Sequence, residues 1–136
     1  MATRAVSAST PQELRPCTIL LVEDDALICC ATSSMLSELG HQVIEAASGK
    51  KALEILRAGA EVDLVMTDQA MPGMTGLQLA AEICASWPDL PVILTTGYAE
   101  LPGEARLSLP RLEKPYGQDD LAAAIIDLMH TRTTSS

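Results

Sequence analysis

The chain has 136 residues, 48% of them hydrophobic, so it can form one domain with a sizeable core but is too short for two. It contains no Phe, one Trp and two Tyr, so the core must consist mainly of aliphatic side chains and Met. The formal net charge of -9 argues against a nucleic-acid partner, because binding to phosphates requires positive charge on the protein.

No apolar run approaches the roughly 18 residues of a membrane span, and the first residues lack the apolar centre of a signal peptide. The four cysteines form no CxxC pair, which favours reduced thiols. We therefore expect a cytoplasmic protein without a membrane partner. The polar ends of the chain predict a flexible arm over residues 1–16 and a flexible tail over 131–136, on either side of one domain over 17–130.

Strand-like and helix-like patterns alternate along this domain. A continuous apolar run predicts the first strand at residues 17–22. Apolar residues at helical spacing predict a helix at 26–39, which ends at Gly40. The second strand is expected at 42–46.

The middle of the chain continues the alternation. Ser48 is expected to cap a helix that extends to about residue 58. The third strand is predicted at 62–67, and the next helix at 75–86 with Thr75 as its N-cap.

The last third of the chain has one weak region. A fourth strand is predicted at 91–95, whereas the pattern at 98–109 is weak. A short strand at 111–113 and a helix at 118–130 follow. The alternation predicts an α/β fold: a doubly wound, five-stranded parallel sheet with helices on both faces.

Polar residues follow four of the five predicted strands. They are Glu23, Asp24 and Asp25 after strand 1, Asp68 after strand 3, Thr95 and Thr96 after strand 4, and Lys114 and Pro115 after strand 5. In doubly wound sheets the functional crevice lies outside the carboxyl ends of the strands, so these side chains are expected to meet.

The acidic residues of this group predict a metal site. Several carboxylates at one edge cannot all stay ionised without a compensating charge, and Mg²⁺ with oxygen ligands suits their number. His41 and His130 lie elsewhere, which argues against zinc and against a histidine phosphotransfer protein. Thr96 and Lys114 would complete a pocket for a small anionic group.

These motifs resemble the receiver domain of two-component response regulators. The matching features are the acidic cluster after strand 1, "MTDQAMPGMTG" around Asp68, "TTG" after strand 4 and "KP" after strand 5. Each motif is weakly specific alone, but their order and spacing are typical of the family. The resemblance extends from Thr18 to His130 and implies a flavodoxin-like sheet with strand order 2-1-3-4-5, as in the stand-alone chemotaxis regulator.

The resemblance also implies the role of each residue. Asp68 would accept a phosphoryl group from a histidine kinase or a phosphotransfer protein. Asp24 would bind Mg²⁺ directly and Glu23 largely through water, together with Asp68 and the backbone carbonyl of Ala70. Thr96 and Lys114 would contact the phosphoryl oxygens.

Such a domain signals through an unknown downstream protein or passes the phosphoryl group on, and is not expected to be an enzyme in its own right. Only six polar residues follow His130, so no output domain is expected after it. One alternative is a Mg²⁺-dependent phosphohydrolase with an aspartyl-phosphate intermediate. Such enzymes usually carry a second Asp two residues after the nucleophile, where this chain has Ala70. A scaffold that is never phosphorylated is a further alternative.

Some positions depart from the family pattern or fit two roles. Arg111 stands where typical receivers have an aromatic residue that rotates on activation. The segment between Thr96 and Lys114 is a few residues shorter than is usual, so the helix that the family has there is expected to be short, starting near Pro102, or partly unwound. Asp25 fits equally well a metal ligand and a carboxylate at the start of the first helix, where the helix dipole favours a negative charge.

Overall fold

The computed structural model describes residues 16–97 and 110–135, with the side chains described up to residue 129. The elements of this part of the chain are β1 (Thr18–Val22), α1 (Ala26–Glu38), β2 (Gln42–Ala46), α2 (Gly49–Arg57), β3 (Leu64–Asp68), α3 (Gly76–Ser86), β4 (Val92–Thr96), β5 (Arg111–Glu113) and α4 (Gln118–Ser135). The predicted N-terminal arm, apart from Pro16, and the predicted helix near Pro102 lie outside the described residues.

The five strands form one parallel sheet in the order β2-β1-β3-β4-β5. Alternate residues of β1 point to opposite faces, so Leu20 and Val22 pack with α2 and α3, whereas Ile19 and Leu21 pack with α1 and α4. The core is therefore divided into two layers by the sheet. The predicted doubly wound α/β fold and its strand order are confirmed.

Two strands end later than predicted, and this shift changes the setting of the site. β3 ends on Asp68 and β4 on Thr96, one residue beyond the predicted ends. Asp68 is paired with Thr95 in the register, and the N–H of Gln69 still donates to the Thr95 carbonyl at 2.9 Å. Asp68 and Thr96 thus belong to the sheet rather than to loops, which restricts their backbone freedom.

The last helix also differs from its prediction. α4 continues to Ser135, so the predicted end at His130 is five residues short and residues 131–135 are helical. This extension contains neither Gly nor Pro, and polar residues at a helix end are compatible with solvent, so nothing in the sequence stops the helix there.

Side chains cap the helices that leave the site. Asp25 Oδ1 accepts from the N–H groups of Leu27 and Ile28 at 2.9 and 3.2 Å, so the structure gives this residue the N-cap role. The predicted caps Ser48 and Thr75 are both confirmed. His41 Nδ1 accepts a hydrogen bond from the N–H of Cys17 at 3.0 Å, so the imidazole has a structural role at the start of β1.

Gly76, the first residue of α3, lies against the end of β3. A Cβ atom there would overlap the carbonyl oxygen of Asp68 and lie 2.6 Å from Leu94 Cδ1. We expect Gly76→Ala to lower the free energy of unfolding by about 2 kcal/mol, because backbone cannot move aside as a flexible side chain can. Gly49, the first residue of α2, is the matched control, since a Cβ there would meet only the Met74 side chain. Equal losses of unfolding free energy in Gly76→Ala and Gly49→Ala, measured by urea denaturation, would contradict this expectation.

Candidate functional site

The carboxyl ends of the strands bring the predicted site residues to one edge of the sheet. Asp68 ends β3, the central strand, and is only 3% exposed. Glu23 follows β1 and Thr96 ends β4, and both are buried. Lys114 follows β5, where its backbone N–H donates to the Thr96 carbonyl at 2.7 Å. These residues therefore meet at the edge of the sheet where the sequence predicts them to meet.

Lys114 pairs with the two buried carboxylates. Its Nζ lies 2.7 Å from Asp68 Oδ1 and 3.8 Å from Glu23 Oε1. The two carboxylate side chains are each 4% exposed, whereas the lysine side chain is 22% exposed. A buried carboxylate needs such a partner, so this ammonium partly compensates the negative charge of the site.

Glu23, Asp24 and Asp68 form a group that could hold a metal ion. Each offers one carboxylate oxygen, and these three atoms all lie within 4.8 Å of one another. Asp24 is exposed, so one side of the group is open to water. Oxygen donors with open positions fit Mg²⁺, which retains several of its water ligands. Ala70, also exposed, lies two residues beyond Asp68 in the β3–α3 loop.

Burial raises the pKa of Glu23 from its ordinary value of 4.5 to about 7. The negative charges of Asp68 and Asp24 act in the same direction. The pKa is lowered by the hydrogen bond that Glu23 Oε2 accepts from the N–H of Asp25 at 3.1 Å and by the charge of Lys114. Without a further cation, a substantial fraction of Glu23 is thus protonated at neutral pH.

This raised pKa predicts how pH and Mg²⁺ affect stability. The folded state binds the proton of Glu23 more tightly than the unfolded state does, so the free energy of unfolding should fall as pH rises from 4.5 to about 7. The expected loss is about 2–3 kcal/mol, and Mg²⁺ should restore stability more at about pH 8 than at about pH 5.5.

Glu23→Gln is the control, because it cannot lose a proton in this range. We expect its stability to be less dependent on pH than that of the wild type when both are measured by urea denaturation in chelator. Identical pH profiles for the two proteins would contradict the assignment.

The two threonines at the end of β4 have different roles. Thr95 Oγ1 donates to the carbonyl of Thr67 at 3.4 Å, so this side chain contacts the neighbouring strand β3 rather than the other polar residues of the site. Thr96 is the last residue of the strand and is 5% exposed. It lies on the same edge of the sheet as Asp68 and Lys114.

Sequence reasoning did not identify Gln69, which holds the β3–α3 loop. Its carbonyl accepts from the N–H of Gly76 at 3.1 Å, and its Oε1 accepts from the N–H of Leu77 at 2.8 Å. Gln69 therefore closes the loop that contains Ala70 and also caps α3. No local spacing rule indicates this role, because the contact spans eight residues.

Tyr116 was also not identified from the sequence. Its hydroxyl lies 2.8 Å from Thr32 Oγ1 in α1, across 84 residues of chain. Burial raises the pKa of Tyr116, and the charge of Glu23 adds to this increase, so the phenol is protonated at neutral pH. A contact over this sequence distance leaves no pattern in one sequence.

The fold and the site together define a receiver-type domain, with a buried aspartate paired to a lysine beside an acidic cluster. The family described as "Response regulator receiver domain" matches residues 19–126, and the chain belongs to this family. This membership favours a receiver of two-component systems over the phosphohydrolase alternative.

Among the described residues, no helix has the length and apolar character needed to cross a bilayer.

Relatives and solved structures agree with this membership. The chain is 38% identical over 119 residues to "Sensor kinase CckA" of Brucella abortus, a match that covers 82% of this chain and 12% of that protein. It is 34% identical over 119 residues to "Transcriptional regulatory protein GlrR" of Escherichia coli, a match that covers 85% of this chain and 27% of that protein. A response regulator receiver domain protein from Clostridium thermocellum superposes with a TM-score of 0.80 at 28% identity, covering 88% of this chain and 99% of that chain.

The chain spans only 12% and 27% of the length of the two curated relatives. One of them is named a sensor kinase and the other a transcriptional regulator. What they share with this chain is the receiver domain, so their other activities are not transferred to it.

Proposed function

We propose that this receiver domain takes a phosphoryl group onto Asp68 from a histidine kinase or a histidine phosphotransfer protein. The observation that carries the proposal is the 2.7 Å contact between Lys114 Nζ and Asp68 Oδ1 beside two further carboxylates. An ammonium at this distance can bind a phosphoryl oxygen once the phosphoryl group is attached to the aspartate.

In the proposed reaction an Asp68 oxygen attacks the phosphorus atom of the phosphohistidine. The new oxygen–phosphorus bond forms as the nitrogen–phosphorus bond breaks, and the product is an acyl phosphate on Asp68. Lys114 and the hydroxyl of Thr96 bind phosphoryl oxygens and stabilise the negative charge on them in the transition state. Burial of Asp68 keeps bulk water away and strengthens both interactions.

Glu23, Asp24, Asp68 and the backbone carbonyl of Ala70 are the proposed Mg²⁺ ligands. The close carboxylate oxygens and the open, exposed side at Asp24 support this assignment. When bound, Mg²⁺ would neutralise charge on the phosphoryl oxygens and relieve repulsion among the carboxylates. It would also compensate for the negative charge that Lys114 alone leaves unbalanced.

The domain is proposed to be a signalling module that takes part in its own phosphorylation and dephosphorylation. Ala70 provides no general acid where the phosphohydrolase alternative requires one, which supports a lasting acyl phosphate. Its proposed output is a protein contact or onward transfer of the phosphoryl group. The four cysteines all lie in the described part of the chain and none forms a disulfide bond, which supports the proposed cytoplasmic setting.

Intact-mass measurement after incubation with acetyl phosphate tests the function. We expect one phosphoryl group to be added in Mg²⁺ and none in excess chelator. The adduct should outlast removal of the donor by minutes or longer. Rapid turnover of the donor without a lasting adduct would instead support the phosphohydrolase, and no reaction at all would support the scaffold.

A further inference from the structure

The segment that carries Lys114 is short and is held at few points. Residues 114–117 connect β5 to α4. At one end the N–H of Lys114 donates to Thr96, and at the other the N–H of Gly117 donates to Asp120 Oδ2 at 2.8 Å. Between these ends, Tyr116 is half-buried against the core layer of α1 and α4. Its ring is thus the main apolar anchor of the segment.

The hydroxyl of Tyr116 adds a polar anchor on a different helix. It lies 2.8 Å from Oγ1 of Thr32, and Thr32 is only 2% exposed. A buried hydroxyl that loses its partner carries a desolvation cost, so this bond fixes how the ring is seated on α1. Either hydroxyl can donate in this bond, and a phenol with its ordinary pKa of about 10 already keeps its proton at neutral pH.

Helix α1 connects this anchor to the acidic side of the site. The helix begins just after Glu23 and Asp24 and is capped by Asp25. Tyr116 lies two residues after Lys114, whose ammonium must reach the acidic cluster. The tyrosine is hydrogen-bonded to α1, the rigid helix that follows this cluster. A lysine side chain has many rotamers, so the position of its Cα determines how often the ammonium meets Asp68.

We propose that the Tyr116–Thr32 hydrogen bond holds Lys114 at the phosphoacceptor, which makes Tyr116 a positioning residue for phosphoryl transfer. This inference rests on the proposed function of Asp68 and Lys114. Tyr116 does not touch the phosphoryl group; it acts through Lys114. Loss of its hydroxyl should slow phosphorylation only while Lys114 is present.

The test compares the rates of labelling by acetyl phosphate in saturating Mg²⁺. Tyr116→Phe retains the ring and removes only the hydroxyl, and we expect it to label about fivefold more slowly. Thr32→Val removes the other half of the bond and should have a similar effect. Because the two changes remove one interaction, the double variant should be no slower than the slower single variant.

A second comparison, a double-mutant cycle between Tyr116 and Lys114, distinguishes positioning of the lysine from a general loss of protein stability. In a Lys114→Ala background, Tyr116→Phe should change the residual rate by less than about 1.5-fold. Gln118→Ala is the matched control: Gln118 Nε2 donates to the Met35 carbonyl and to Glu38 Oε1, both at 3.1 Å, so it also links this part of the chain to α1. We expect it to label at the wild-type rate.

The outcomes separate this inference from the proposed function. If the wild type is labelled in Mg²⁺ but Tyr116→Phe is labelled equally fast, the positioning role is wrong and the proposed function stands. The role is also wrong if Tyr116→Phe slows labelling equally with and without Lys114, or if Gln118→Ala is as slow as Tyr116→Phe. If the wild type is not labelled, both conclusions fail.

Discussion

Asp68→Asn is expected to abolish labelling by acetyl phosphate. The amide has nearly the same size and shape as the carboxylate but is not a competent nucleophile, so no acyl phosphate can form. Asp68 is buried at the end of β3, and the substitution leaves the residues Glu23 and Lys114 themselves unchanged. The expected result is no added phosphoryl group by intact mass at times when the wild type is fully labelled.

Asp63→Asn is the control for this variant. Asp63 is exposed and lies just before β3, where its Oδ2 accepts from the N–H of Thr18 at 2.8 Å. It is remote from the acidic cluster, so we expect normal labelling. Labelling of Asp68→Asn at the wild-type rate would show that another residue accepts the phosphoryl group.

Lys114→Met should produce the second largest effect. The variant keeps much of the apolar stem but removes the only cation within reach of Asp68 among the described residues. Loss of one preorganised group that stabilises transition-state charge typically slows a reaction by about 10²–10³-fold, and we expect a loss of that size. The rate should stay low in saturating Mg²⁺, because a bound ion would not replace the ammonium that lies 2.7 Å from Asp68 Oδ1.

The same variant should also change stability. Without the ammonium, Glu23 and Asp68 lose their shared partner, so we expect the metal-free variant to be less stable by about 3 kcal/mol in urea denaturation. Mg²⁺ should recover part of this stability but not the rate. Lys51→Met is the control, since the ion pair of Lys51 with Glu54, at 4.0 Å, is exposed. A Lys114→Met variant that is labelled as fast as Lys51→Met would contradict the assignment.

The residues that the structure brings together were identified from the sequence because each lies at a strand end. Parallel strands place their carboxyl ends on one edge, so the order of apolar runs predicts the meeting of Glu23, Asp68 and Lys114. The caps Ser48 and Thr75 were predicted for a related reason, since a cap contacts N–H groups only two or three residues away.

The extents of elements were less predictable. β3 includes Asp68 because the strand stays paired with Thr95 on β4, and one strand's pattern does not reveal where its neighbour stops. The sequence left Asp25 open between a metal ligand and a carboxylate favoured by the dipole of the first helix, and only the contacts of its carboxylate with the N–H groups of Leu27 and Ile28 reveal the N-cap.

The sequence by itself determined the fold class and the set of charged residues at the site. Its resemblance to receiver domains implied the strand order. These depend on periodicity and on local order along the chain. Only the tertiary structure decided the Tyr116–Thr32 bond and the raised pKa of Glu23. Both depend on burial and on distances between segments far apart in sequence, and such distances are fixed only when the sheet and its helices pack together.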